Sequence, residues 1–166
     1  MRRRPLLAVV LSCSALVTPG CGFELRRAPE LRFSTISFTG FAARSPLAEE
    51  LRRQLAAVAT TRLVDTPAQA QVVFEALSDT REKSVVASTA AGQVREVQLR
   101  TRLQFRLRTP AGRELIAPAE IRLSRDMSYS ETVALAKEQE EALLYRAMDT
   151  DIAHQVLRRL ASVQGL

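Results

Sequence analysis

A chain of 166 residues with 46% hydrophobic content has room for one domain with a real core. Aromatic residues make up 5% and tryptophan is absent, which leaves thin material for a base-stacking nucleic-acid platform. The formal charge of +6 overstates the basic character, because Arg2, Arg3 and Arg4 supply half of it.

Those three arginines precede an apolar run from Leu6 to Val17. The run is shorter than the ~20 residues a spanning helix needs. A positive start, a short oily stretch and small residues after it form an export signal. Thr18-Pro19-Gly20-Cys21 resembles the lipobox of bacterial lipoproteins, with Gly20 at the cut and Thr18 where Leu is usual. The expected organisation is a signal peptide over residues 1–20, a lipidated tether over 21–30 starting at Cys21, and one domain over 31–166. A diacylglycerol on the thiol plus an acylated amino group gives the several chains that stable anchoring requires. Cys13 leaves with the signal, so the remaining single cysteine has no partner for an internal disulfide.

Leu31 to Thr39 is rich in β-branched and aromatic residues and predicts the first strand. Ser45-Pro46 marks a helix start, with Glu49 and Glu50 near its positive end. Leu47, Leu51, Leu55 and Val58 share one face of that helix. Thr60 to Ala70 contains Pro67 and reads as a loop. Gln71 to Ser78 predicts the second strand, with Thr80 to Thr89 as a possible extension and Ala90-Ala91-Gly92 as the next turn.

From Val97 to Arg108 apolar residues or Thr occupy the odd positions and Gln or Arg the even ones. That strict alternation predicts a long strand with one buried face. Glu114 to Arg125 has the same parity and is its expected hairpin partner through Pro110-Ala111-Gly112. The register that follows sets residue 107 opposite 115 and residue 99 opposite 123. Pro118 predicts an edge or a bulge. Ser128 and Glu131 resemble a capping box for a long helix from about Glu131 to Val163. Its apolar stripe is Leu144, Met148, Ile152, Val156, Leu160 and Val163, widened by Leu143, Ala147 and Leu157. The order β-α-β-β-β-α implies an α+β two-layer sandwich: a four-stranded sheet packed on two helices.

The chain offers no enzyme site. His154 stands alone on a helix, the glycines are isolated, and no metal-ligand or nucleophile set is visible, so neither metal nor cofactor is expected. The arginines of the sheet are more informative. In the expected register Arg102 faces Glu120 and Arg108 faces Glu114, whereas Arg100 faces Arg122 and Arg106 faces Ile116. Arg100, Arg122 and Arg106 are then uncompensated donors. They suit phosphates or the acidic loops of a partner, or they are simply a solvated face.

Taken together, Cys21-Gly22-Phe23-Glu24-Leu25-Arg26, the element order, Arg125-Asp126-Met127-Ser128-Tyr129, Ala134-Leu135-Ala136-Lys137-Glu138 and Gln155-Val156-Leu157-Arg158-Arg159-Leu160 resemble the LptE family of lipopolysaccharide-assembly lipoproteins. The resemblance covers essentially the whole mature chain. It implies a lipoprotein anchored in the outer membrane and facing the periplasm. It also implies plugging of the LptD β-barrel, direct lipopolysaccharide binding and delivery to the cell surface. Lys137 matches one basic position proposed in the family to contact lipopolysaccharide. A second falls on Ala90-Ala91-Gly92 and is missing, with Arg95 the nearest replacement. Gly22 is not the Asp associated with inner-membrane retention. The competing expectation is a free-standing periplasmic lipoprotein that holds lipid in its own cavity without a barrel partner.

Overall fold

The computed structural model describes residues 30–164, so the expected signal peptide, Cys21 and nearly all of the tether lie outside the described residues. The elements are β1 (Thr35–Thr39), α1 (Pro46–Ala56), β2 (Arg62–Leu63), β3 (Val72–Ser88), β4 (Val94–Arg108), β5 (Glu114–Ser128) and α2 (Ala134–Ala161). The class is the expected α+β. The mixed sheet has five strands in the order β2-β1-β3-β4-β5, one more than predicted. The additional strand sits in the segment read as loop, where Arg62 and Leu63 pair in parallel with Thr35 and Ile36. A two-residue strand carries no periodicity to read.

Helix α1 starts as its sequence dictates. The Ser45 hydroxyl accepts from the Ala48 N–H at 3.1 Å and Pro46 opens the first turn. That hydroxyl also donates to Asp79 Oδ2 at 2.6 Å, which ties the cap to β3. Leu47, Leu51, Leu55 and Val58 are all buried. The predicted capping box at the last helix does not form. Ser128 ends β5, a 3₁₀ turn over Glu131–Val133 intervenes, and α2 begins at Ala134 with Val133 as an N-cap that offers no side-chain hydrogen bond. Of the predicted stripe, Met148, Ile152, Val156, Leu157, Leu160 and Val163 are buried. Leu143 and Ala147 are exposed, and Ala153 takes the inward place.

The second strand and its extension are one continuous strand, β3. Its register with β4 shifts between Ala76 and Ser78, leaving Leu77 unpaired and exposed. Beyond that bulge the parity reverses. Lys83 lies opposite buried Leu99, and Arg81 opposite buried Thr101. Charged residues therefore enter the inner face beneath α2.

The two hairpins use the same turn chemistry. Gly92 and Gly112 both have positive φ, and each N–H donates to the carbonyl of the Thr three residues earlier, Thr89 or Thr109, at 2.9 Å. The Thr109 loop is the predicted three-residue connection. On β4 the odd positions from Val97 to Leu107 are all buried, as predicted. Phe74 and Phe105 stack at 4.9 Å in the centre of the core, a contact of about 0.5–1.5 kcal/mol beyond burial alone. Leu103, Leu107, Ile152 and Leu160 fill the space between sheet and helices, each burial contributing about 1.5–3 kcal/mol.

The β4–β5 register is corrected by the structure. It starts as predicted at Arg108 opposite Glu114, then shifts to Leu107 opposite Ile116 and Phe105 opposite Ala119. β5 takes up the extra residues around Pro118, and β5 is the sheet edge. Both alternatives offered for Pro118, edge and bulge, hold together. From Phe105 onward the net displacement is two residues, so Ala119, Ile121 and Leu123 stay inward while their cross-strand partners change. Within the shifted stretch Ile116 packs inward and Ala117 is exposed.

Candidate anion-binding face and interlayer charge ladder

The outer face of β4 carries Gln98, Arg100, Arg102, Gln104, Arg106 and Arg108, all at even positions. The displaced register decides which arginines meet which acids. Arg102 is opposite Arg122, not Glu120; Gln104 takes Glu120, and Arg100 is opposite Ser124 on β5 and Glu82 on β3. The like-charge pair expected at Arg100 and Arg122 is therefore formed by Arg102 and Arg122.

Arg106 is not an uncompensated donor. Its Nε and Nη2 donate to Glu75 at 3.0 Å each, and Arg108 Nε adds a third bond at 3.0 Å. The hydrogen bonds from Arg108 and Arg106 hold the Glu75 carboxyl below its usual range despite some desolvation. Sequence parity pointed these arginines at β5. Their acid lies on β3, which no pairing argument within the β4–β5 hairpin reaches.

Further along the same face the arginines are left in excess. Arg100 Nε donates to Gln98 at 2.7 Å, and Gln98 in turn donates to Asp126 at 2.8 Å. Arg122 donates to Glu120 at 2.6 Å, while Arg102 stands 3.8 Å from the same carboxylate. These three arginines, with Thr80 and Glu82, line an open depression of about 400 Å³.

Lys137 and Arg95 lie elsewhere. Lys137 is mostly buried and its ammonium is shared by Ser128 Oγ at 3.0 Å and Glu140 at 2.8 Å. Arg95 is exposed, and its backbone carbonyl accepts from the Tyr129 N–H at 2.8 Å. Both residues flank Ser128–Tyr129, at the end of the sheet near the β3–β4 turn. Arg95 lines a cleft there with Gln93, Tyr129 and Thr132. The structure brings Arg100 and Arg122 together with Arg102, and separates them from Lys137, Arg95 and Arg106.

A second polar system joins the layers. Arg81 pairs with Asp149, and Lys83 pairs with Glu141 at 2.6 Å. Tyr145 donates to the Glu82 carbonyl at 3.0 Å, and the Arg81 guanidinium lies 5.0 Å from the centre of its ring. Burial pushes the Asp149 carboxyl up, Arg81 opposes that, and Asp79 adds to it. The bond to Glu141 pushes Lys83 up. None of this ladder was legible beforehand, because the bulge at Leu77 that turns Arg81 and Lys83 inward has no sequence mark. His154 is exposed on α2.

No described helix is long and apolar enough to cross a membrane. Residues 33–160 match the family model described as LptE, Lipopolysaccharide-assembly. The LPS-assembly lipoprotein LptE of Pectobacterium atrosepticum is 27% identical, over 99% of this chain and 89% of that protein. The protein of the same name from Photorhabdus laumondii is 28% identical, over 99% and 90%. Among solved structures, lipoprotein B of Nitrosomonas europaea aligns with a TM-score of 0.72 at 30% identity, covering 85% of this chain and 91% of that one. The rare lipoprotein B of Shewanella oneidensis aligns at 0.65 and 25%, covering 78% and 95%.

Proposed function

The chain belongs to the LptE family of lipopolysaccharide-assembly proteins, and on that premise we propose that it is a lipoprotein of the outer membrane that takes part in delivering lipopolysaccharide to the cell surface. It is made with a signal peptide over residues 1–20 and anchored through Cys21, facing the periplasm. It plugs and helps assemble the LptD β-barrel, and its role is one of assembly and not of turnover. The family match over residues 33–160 is the observation that carries this reading. The sheet supports it. Its inner face is covered by helices, while the outer face of β4 is polar from Gln98 to Arg108, a surface suited to the polar lumen of a barrel.

The space between the layers weighs against a free-standing carrier with its own cavity. Phe74, Phe105, Leu103 and Leu107 fill it at 0% exposure, and an acyl chain would have to displace close-packed side chains. Lipopolysaccharide contacts are proposed at Lys137 and Arg95 near the β3–β4 turn, and at Arg100 and Arg122 on the sheet.

The test is a pull-down of tagged full-length protein from outer membranes, with depletion alongside. A large outer-membrane barrel should co-purify, and depletion should lower both barrel assembly and surface lipopolysaccharide. Cys21→Ala should abolish incorporation of labelled palmitate into the protein. A preparation without a barrel partner, together with unchanged surface lipopolysaccharide after depletion, overturns the proposal.

A further inference from the structure

We propose that Arg100, Arg102 and Arg122 form one preorganised binding site for a phosphate group on the outer face of the sheet. The argument starts from what the displaced register does to charge. Arg102 and Arg122 are direct cross-strand partners, an arrangement that is unfavourable unless an anion lies between them. Glu120 supplies only part of that anion: it holds Arg122 at 2.6 Å and Gln104 at 3.0 Å, and it stands 3.8 Å from Arg102.

Arg100 completes the site. Its Nε is fixed by Gln98, itself held by Asp126, and it makes no ion pair with a described residue. Arg100 and Arg122 are thus each oriented by one hydrogen bond, Arg102 approaches Glu120 only to 3.8 Å, and most N–H donors of the three remain unspent. Two forks and a third donor set at fixed positions suit the three oxygens of a phosphate monoester, which arginine grips by paired hydrogen bonds. The open depression of about 400 Å³ is bordered by these side chains, Thr80 and the carboxylate of Glu82, opposite Arg100 on β3. Three guanidinium groups face one acid there, and the depression admits a phosphate together with the sugar that carries it. Arg106 and Arg108 on the same strand provide the internal contrast, since three bonds to Glu75 already spend them.

The chemistry of the site is that of a phosphate. Its assignment to the phosphates of lipopolysaccharide rests on the proposed function above, and the experiment keeps the two apart. Binding to detergent-solubilised full-length protein is measured by calorimetry with three probes: inorganic phosphate, lipopolysaccharide, and dephosphorylated lipopolysaccharide. The test variant is Arg100→Gln/Arg122→Gln. Arg106→Gln/Arg108→Gln makes the same charge change on the same face, and Arg53→Gln/Arg158→Gln makes it on the helices. Circular dichroism confirms that each is folded.

The test variant should bind lipopolysaccharide at least about tenfold more weakly, the loss of one or two charge-assisted bonds. Both control variants should stay within about twofold, inorganic phosphate should compete, and the dephosphorylated probe should not distinguish the proteins. Saturation by inorganic phosphate with no gain for lipopolysaccharide would keep the phosphate site and remove the glycolipid as its source. Equal losses in all three variants, or binding that does not depend on phosphate, would overturn the site whatever the outcome of the barrel pull-down.

Discussion

Arg81 on β3 donates to Asp149 on α2, so an ion pair with a buried carboxylate joins the sheet to the helix layer. Asp149 is 3% exposed and its second oxygen has no partner among the described residues. Burial outweighs Arg81 and raises this carboxyl above its ordinary 3.8. A raised carboxyl holds its proton in the folded state after the unfolded chain has lost it. Its stabilising contribution is therefore present in acid and declines as pH rises from 3.8 through the folded value. Asp149→Asn should remove this decline, so urea midpoints of variant and parent should diverge in the variant's favour between acid and neutral pH.

Arg81→Ala should do the opposite. It leaves the carboxylate buried without its cation and pushes the carboxyl further up. The expected loss at neutral pH is about 2 kcal/mol, below the ~3–5 of a fully enclosed pair because solvent reaches Arg81. The loss should shrink in acid, where Asp149 is neutral. An equal loss at both pH values would mean that packing of the arginine stem, not its charge, is what matters.

Glu75 titrates in the other direction. Arg108 and Arg106 hold its carboxyl below its ordinary 4.5. Its contribution is present above that value and is lost as pH falls through the folded one. Glu75→Gln should lower the unfolding free energy read from urea melts at neutral pH by about 1 kcal/mol and cost nothing in strong acid. The variant should also free Arg106 and Arg108 to bind inorganic phosphate.

Gly40 has φ of +82°, and a Cβ there would meet the Ala76 carbonyl oxygen at 2.1 Å. Gly40→Ala should therefore cost more than about 2 kcal/mol, strain and clash together. Gly92 has φ of +79° with open space around it, so Gly92→Ala should cost about 1 kcal/mol from strain alone. Thermal melts of the two variants check the difference.

Ile152 and Leu143 both carry apolar side chains on α2, and both were expected on its buried stripe. Ile152 is 0% exposed and Leu143 is 60% exposed. Ile152→Ala should cost about 2–5 kcal/mol and Leu143→Ala within about 0.5 kcal/mol. A large loss at Leu143 in membranes but not in purified protein would identify it as a partner contact.

Local chemistry decided what the sequence alone determined. Ser45-Pro46, the glycines after Thr89 and Thr109, and the alternation from Val97 to Leu107 each specify their own backbone, so α1, both turns and β4 were legible without any neighbour. Four short motifs in order were enough to suggest the family. Only the tertiary structure decided how the strands slide and what the arginines face. Side-chain alternation repeats every two residues, so a shift by two leaves the buried face unchanged and is invisible to pattern. That shift, taken up around Pro118, replaced Glu120 by Arg122 opposite Arg102. The bulge at Leu77 shifts the β3 register by a single residue instead, which reverses the parity and turns Arg81 and Lys83 under α2. Charge pairing is set by register, and register here is set by irregularities that the chain marks incompletely: Pro118 signals an edge or a bulge but not a shift of two, and nothing marks the bulge at Leu77.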